Sequence, residues 1–147
     1  MTENSTTIPT SGGSIVTVQS FLDALASGEL DTATDLLTDD IAWHNTSLPT
    51  VRGRTRVRGM LHGMARPWVG FEVVTHHIAT DGDVVLTERT DIFRLGPVEI
   101  GFWVCGTFHL RDGRIAVWDD HFSPGNMALG ALRGLVRAAA GRRAVAA

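Results

Sequence analysis

The chain has 147 residues, of which 44% are hydrophobic and 20% are charged, and its formal net charge at pH 7 is -3. A chain of this length buries roughly two-thirds of its unfolded surface, so the composition predicts one globular domain with a substantial core. A negative net charge argues against nucleic-acid binding, which usually needs a concentrated basic face. The sequence contains no lysine and no tyrosine, which excludes Schiff-base chemistry and any mechanism that needs a phenol.

The N-terminal segment is polar. Residues 1–13 lack the basic start and apolar stretch of a secretory signal peptide, so we predict a flexible tail there and a single domain over residues 14–147. No apolar run approaches the roughly 18 residues of a membrane span. We therefore expect a cytoplasmic protein without stable membrane insertion.

Three helices are predicted in the first half of the chain. Apolar residues recur at helical spacing between Ile15 and Leu25, and Gly28 is a natural stop for this helix. Residues 29–40 predict a short second helix. Residues 54–65 predict a third helix, whose inward side carries Val57, Met60, Leu61 and Met64.

The second half of the chain consists mainly of long β runs. Short turn sequences separate them, so successive strands are expected to pair antiparallel as a meander. A shorter strand is predicted earlier, over residues 41–45, and residues 127–143 return to helical spacing. The four long runs cover residues 71–80, 83–95, 98–110 and 114–122.

Helices segregated from a long antiparallel sheet predict an α+β domain. The order of elements resembles the cone-shaped fold shared by nuclear transport factor-like proteins, ketosteroid isomerases and polyketide cyclases. The resemblance implies a curved mixed, mainly antiparallel sheet that forms a cone, with helices packed around it and an apolar pocket inside.

Charged residues interrupt an apolar strand at residues 86–93. Because strand side chains alternate between two faces, Arg89 and Asp91 point to the same side as Phe93. Such a pair is commonly a surface pair on a half-solvated sheet. The aromatic neighbour favours the buried alternative, in which each charge must be paired and an arginine fork suits carboxylates.

Two other strands place polar residues beside aromatic ones. In the last strand Asp120 shares a face with Trp118 and Phe122, and in the short early strand Trp43 shares a face with Asn45. If these faces line one cavity together with the charged strand, two carboxylates meet around one arginine.

Two carboxylates around an arginine suit acid and base catalysis. Burial and mutual repulsion raise the proton affinity of one carboxylate, while arginine hydrogen bonds favour ionisation of the other. Water addition to an epoxide needs both, because a base deprotonates the attacking water while an acid protonates the ring oxygen. The amide of Asn45 has the donors and the acceptor to hold that water.

The segments that carry these residues resemble the active-site segments of the limonene epoxide hydrolase family. They are "WHNTSLP" at 43–49, "TERTD" at 87–91 and "WDD" at 118–120, and their spacing also matches. The similarity runs from about Val18 to the C-terminal helix. Within the family, the chain most resembles an actinobacterial branch of epoxide hydrolases that accept larger, lipid-like epoxides.

The resemblance implies a role for five residues. By position, Asp91 is the general acid, Arg89 the bridge, Asp120 the base and Asn45 a water holder. Trp43 stands where the family has a water-holding tyrosine. An indole donates a hydrogen bond but does not accept one, so the water would be less fully fixed.

The resemblance also implies a small apolar epoxide as substrate, no cofactor and a homodimer. No His-x-His or His-x-x-x-His pair occurs among the six histidines, so no metal site is predicted.

Asp119 and Ser123 depart from the family, which usually has arginine at the first position and aspartate at the second. The candidate pocket residues are Phe93, Phe102, Val104 and Phe122.

Two other functions are open on this fold. One is a ketosteroid isomerase or polyketide cyclase, although the isomerase family uses a tyrosine that this chain lacks. The other is a non-catalytic module that binds a small molecule. Both aspartates and the arginine favour an enzyme, because an apolar binding pocket has little reason to bury three charges.

Overall fold

The computed structural model describes residues 11–145 of the protein. This part of the chain forms one six-stranded sheet with four helices. The elements are α1 (Ser11–Ala26), α2 (Leu30–Asp35), β1 (Leu37–Asn45), β2 (Val51–Arg52), α3 (Arg54–Met64), β3 (Val69–Asp81), β4 (Val84–Leu95), β5 (Val98–Arg111), β6 (Arg114–Phe122) and α4 (Pro124–Val145).

The strand order in the sheet is β2-β1-β6-β5-β4-β3. From β3 to β6 each strand pairs antiparallel with the next one along the chain, as the turn sequences predicted. β1 joins this meander by parallel pairing with β6, and β2 pairs antiparallel with β1. The α+β class with a curved, mainly antiparallel sheet is confirmed.

The core lies between α1 and the inner face of the sheet, the face that carries Val85, Phe108 and Trp118. Val18 and Phe21 of α1 are fully buried against it. The ring of Phe21 meets Trp118 edge to face, with the ring centroids 4.9 Å apart. Burial of each such large apolar side chain contributes roughly 1.5–3 kcal/mol, which fixes α1 across the sheet.

The alternation predicted along β4 is confirmed. Val85, Thr87, Arg89 and Asp91 are buried on the inner face, whereas Leu86 between them is half exposed on the outer face. The charged pair therefore points into the protein rather than toward solvent.

The second helix is shorter than predicted. α2 ends at Asp35, and residues 37–45 form β1 instead. Leu37 pairs with Ile115 of β6 and both are fully buried. Long-range strand pairing thus overrides the local helical pattern.

Two methionines of α3 do not point inward as predicted. Val57 and Leu61 are buried, but Met60 and Met64 are 44% and 45% exposed. α3 packs against α2 and β1 along a single stripe, and residues four apart on a helix share that stripe.

The N-terminal boundary also differs from the prediction. α1 begins at Ser11, so residues 11–13 are helical, and residues 1–10 of the predicted tail lie outside the described residues. Among the four helices described, none is both long and apolar enough to cross a lipid bilayer.

Candidate active site

Arg89 is the centre of a buried ionic cluster on the inner face of the sheet. Its side chain is 1% exposed. Nε donates to Asp91 Oδ1 at 2.8 Å, and Nη2 donates to Asp91 Oδ2 at 3.2 Å. Nη2 also donates to Asp120 Oδ2 at 2.7 Å. The structure thus brings together the arginine and the two carboxylates that lie on different strands.

Gly106 of β5 lies between the two strands that carry the cluster. It is in register with Thr87 of β4 on one side and with Asp120 of β6 on the other. A Cβ atom at this position would lie 2.3 Å from Arg89 Nη1, 2.7 Å from Thr87 Oγ1 and 2.9 Å from Asp120 Oδ1. Only glycine leaves room for Arg89 to reach across β5.

Burial raises the pKa of both aspartates of the cluster. Desolvation is the largest cause for Asp91 and for Asp120, and the charge and hydrogen bonds of Arg89 oppose it. Asp91 further raises the pKa of Asp120. The nearby indole of Trp118 opposes this rise in the pKa of Asp120, although its N–H has no hydrogen-bond partner among the described residues. Two coupled carboxylates release their protons in two separate steps, so the cluster can retain one proton at a pH where exposed aspartates are ionised.

β1 places two of the predicted site residues beside the Asp120 end of the cluster. Asn45 is in register with Asp120, and Trp43 is in register with Trp118. The two indoles stack with centroids 4.4 Å apart and planes 12° apart. Among the described residues, neither Trp43 Nε1 nor Asp120 Oδ1 has a hydrogen-bond partner. Two adjacent strands thus carry the unused donor of Trp43, the unused acceptor of Asp120 and the half-buried amide of Asn45.

Three residues of the site were not predicted from the sequence. They are Thr87 and Gly106, described above, and Thr46. The Thr46 hydroxyl donates to the carbonyl oxygen of Asp120 at 3.3 Å and accepts from the Phe122 amide at 3.2 Å, which fixes the backbone around the aspartate. Alternation along β4 could have identified Thr87, whereas the other two act through contacts between strands.

An apolar depression of about 620 Å³ opens to solvent near the cluster. Of the four predicted pocket residues, Phe93 and Phe102 line it, with their rings stacked 6.0 Å apart. Phe102 is in register with Asp91 and so connects the depression to the cluster. Val104 is 1% exposed and Phe122 packs against Phe102, and neither belongs to the wall. The wall also includes Met64, Arg66, Trp68, Ile100 and Met127.

Two of the three residues that depart from the family pattern, Asp119 and Ser123, lie outside the cluster. Asp119 points to the outer face, where its carboxylate is 3.3 Å from Nε2 of His121. Ser123 precedes α4, and its hydroxyl accepts a hydrogen bond from the backbone N–H of Asn126. Within residues 11–145, no three histidine, cysteine, aspartate or glutamate side chains are grouped so that they could hold a metal ion.

The sequence matches a known family over most of its length. A model of the limonene-1,2-epoxide hydrolase catalytic domain matches residues 13–133. The chain is 45% identical over 119 residues to the epoxide hydrolase EphG of Mycobacterium tuberculosis (strain ATCC 25618 / H37Rv). This alignment covers 81% of the chain and 79% of the relative.

Solved structures agree with this match. An LEH-like epoxide hydrolase of M. tuberculosis has a TM-score of 0.82 and 44% identity, and the match covers 87% of this chain and 96% of that one. A protein of Catenulispora acidiphila with a ketosteroid isomerase-like fold has a TM-score of 0.69 at 14% identity, covering 78% and 91% of the two chains. The second likeness shows a shared fold alone.

Proposed function

The chain belongs to the limonene-1,2-epoxide hydrolase family of enzymes, and we propose that it hydrolyses an apolar epoxide to a vicinal diol in one step. The observation that carries this proposal is the buried cluster, in which Arg89 binds Asp91 through two hydrogen bonds and Asp120 through one. This arrangement supplies an acid and a base on either side of one cation.

In the proposed reaction, Asp120 is the base and protonated Asp91 is the acid. Asp120 takes a proton from water while the water oxygen bonds to an epoxide carbon. The ring C–O bond breaks, and the ring oxygen keeps its electron pair and takes the proton of Asp91. One proton then returns from Asp120 to Asp91. Arg89 neutralises whichever carboxylate is ionised, and the proton balance closes without a metal or cofactor.

The unengaged oxygen of Asp120 supports its assignment as the base, and Asp91 is assigned as the acid by its position in the family's segment. Both oxygens of Asp91 accept from Arg89, whereas Oδ1 of Asp120 accepts from no described residue. The unused oxygen belongs to the strand that is in register with Asn45. A water held by the Asn45 amide would therefore lie next to the base rather than the acid.

The wall of the apolar depression supports an apolar substrate of the terpene, fatty or sterol-like kind. Phe93, Phe102, Trp68 and Met127 contribute aromatic and flexible apolar surface, and Arg66 is the one charged residue among the described residues of the wall. Desolvation of an apolar body favours its entry by roughly 25 cal/mol per Å² of buried apolar surface. The epoxide end would then lie toward Phe102 and the cluster.

The proposal is tested by incubating the protein with terpene, fatty and sterol epoxides in water labelled with oxygen-18. We expect a vicinal diol that carries one labelled oxygen from at least one class of substrate. Binding of the epoxides without any diol would instead support the non-catalytic module, and isomerised products without label would support an isomerase or cyclase.

A tyrosine at the position of Trp43 is expected to leave turnover unchanged or to raise it. A phenol both donates and accepts hydrogen bonds, so Trp43→Tyr would hold the water more fully than the unpartnered indole does. Trp43→Phe is the matched control, because it loses a similar volume and adds no hydroxyl. The kcat values of both variants are compared with that of the wild type. A Trp43→Tyr protein that folds and binds normally but has no turnover would show that the indole has a role of its own.

We also propose that the protein is a homodimer, built on the outer face of the sheet. Val74 and Trp103 flank Thr90 in one row of β3, β4 and β5, and are 38% and 49% exposed; Leu86 is 50% exposed. Such apolar patches mark association sites. Sedimentation is expected to give a dimer at micromolar concentration, and Leu86→Glu is expected to raise the monomer fraction. Leu48→Glu, in an exposed turn, is the control. A wild-type protein that sediments only as a monomer would contradict this prediction.

The cytoplasmic location of the protein stays a prediction.

A further inference from the structure

Thr87 is a buried polar residue that the reaction described above does not use. It lies two residues before Arg89 on the inner face of β4 and is 2% exposed. Its hydroxyl accepts from Arg89 Nη1 at 3.2 Å and donates to the carbonyl oxygen of Gly106 at 3.4 Å. The carbonyl fixes the direction of the hydroxyl proton, so the oxygen lone pairs of Thr87 face the guanidinium.

The donors of Arg89 are divided among three acceptor residues. Nε and Nη2 donate to Asp91, and Nη2 also donates to Asp120 Oδ2. Nη1 donates to Thr87. Nη1 and the unused Asp120 Oδ1 both border the space above Gly106, at 2.3 Å and 2.9 Å from the point where a Cβ atom would lie. Both atoms therefore lie close to the same small space.

We propose that Thr87 is a positioning residue that keeps Arg89 Nη1 away from Asp120 Oδ1, so that this oxygen stays free to take the proton of water. The inference rests on the proposed function and adds one residue to it. Thr87 touches neither substrate nor water in this role; it acts through Arg89.

The alternative position of the guanidinium follows from the chemistry of arginine. Without the hydroxyl, Nη1 is a buried donor without a partner, and such a group costs about 1–3 kcal/mol. Asp120 Oδ1 lies nearby and accepts from no donor among the described residues. Rotation toward it gives the paired N–H···O contacts that guanidinium and carboxylate favour. Both oxygens of the base would then be occupied.

Among the described residues, the charged groups that face Asp120 are limited to β4. Arg89 and Asp91 point toward it from that strand, while β5 presents Gly106 and β1 presents Asn45, neither of which titrates. A second hydrogen bond from Arg89 would favour the ionised form and lower the pKa of Asp120. The base would become both less accessible and weaker.

The test compares Thr87→Ser with Thr87→Cys, two side chains of similar size of which only serine is a good acceptor. Thr87→Val is made in parallel, and Thr107→Val on the outer side of β5 is the control. With the epoxide that the wild type turns over fastest, we expect kcat to fall roughly tenfold or more in the cysteine and valine variants, with KM little changed. The acid limb of the pH profile of kcat/KM should move to lower pH in both, and serine should restore rate and profile.

Equal loss in the serine and cysteine variants would overturn the proposal, because the effect would then come from the missing methyl group. A cysteine variant with the wild-type kcat and an unchanged acid limb of the kcat/KM pH profile would overturn the proposal as well. If the valine variant does not fold, the serine and cysteine pair still decides. Activity that survives Asp120→Asn would count against the proposed reaction itself, so the two ideas fail separately.

Discussion

Asp120→Asn is expected to reduce epoxide hydrolysis by roughly 10²-fold or more while the fold and ligand binding persist. The amide has the size and shape of the carboxylate and can still accept the hydrogen bond that Arg89 Nη2 makes to Oδ2. An amide does not take a proton from water near neutral pH, so the chemical step alone is lost. Diol formation gives the rate, and the dissociation constant of an apolar amide such as hexanamide gives the binding.

Asp119→Asn is the matched control for this prediction. Asp119 is the preceding residue on the same strand, but its carboxylate faces His121 on the outer side of the sheet. The control variant should retain wild-type turnover. If both variants were equally active, Asp120 would not be the base. If both were equally inactive, the effect would come from β6 as a whole and not from the cluster.

Arg89→Gln is expected to lower the free energy of unfolding by about 3–5 kcal/mol at neutral pH, because it leaves two buried carboxylates without their cation. Urea unfolding followed by circular dichroism measures the change. Arg94→Gln is the control on the same strand. Arg94 is half exposed and pairs with Glu72 and Glu99 at the surface, where ion pairs contribute about 0–1 kcal/mol.

The loss of stability in Arg89→Gln is expected to depend on pH. Desolvation already raises the pKa of Asp91 and Asp120 in the folded protein, and Arg89 opposes it. Removing the arginine raises both pKa values further. A carboxyl whose pKa is raised by folding stabilises the protein below its unfolded pKa of about 3.9, and this stabilisation is lost as the pH rises through the folded pKa. The deficit should therefore be smallest near pH 4 and increase toward neutral pH; a deficit independent of pH would show that packing, not charge, is lost.

Much of the fold could be predicted because its strongest signals are local. Turn residues at short spacing determine an antiparallel meander from β3 to β6, since a short turn leaves adjacent strands no other way to pair. The start of β1 was assigned to a helix instead, because residues 37–40 become a strand only through pairing with β6, a partner far along the chain. Met60 and Met64 of α3 were predicted to be buried but are exposed. Periodicity shows which side of a helix is apolar, but not how much of that side packs against other elements.

For the site, the sequence by itself determined which residues share a face. The two-residue period of a strand places Arg89 with Asp91, Asp120 with Trp118, and Trp43 with Asn45, and burial of an apolar stripe turns those faces inward. Tertiary structure alone decided how the faces meet. Gly106 separates β4 from β6 and leaves the gap that Arg89 crosses. Thr87 accepts from one Arg89 donor, and Val104 and Phe122 do not line the depression. These facts depend on register and strand order, which bring together atoms that local sequence patterns treat independently.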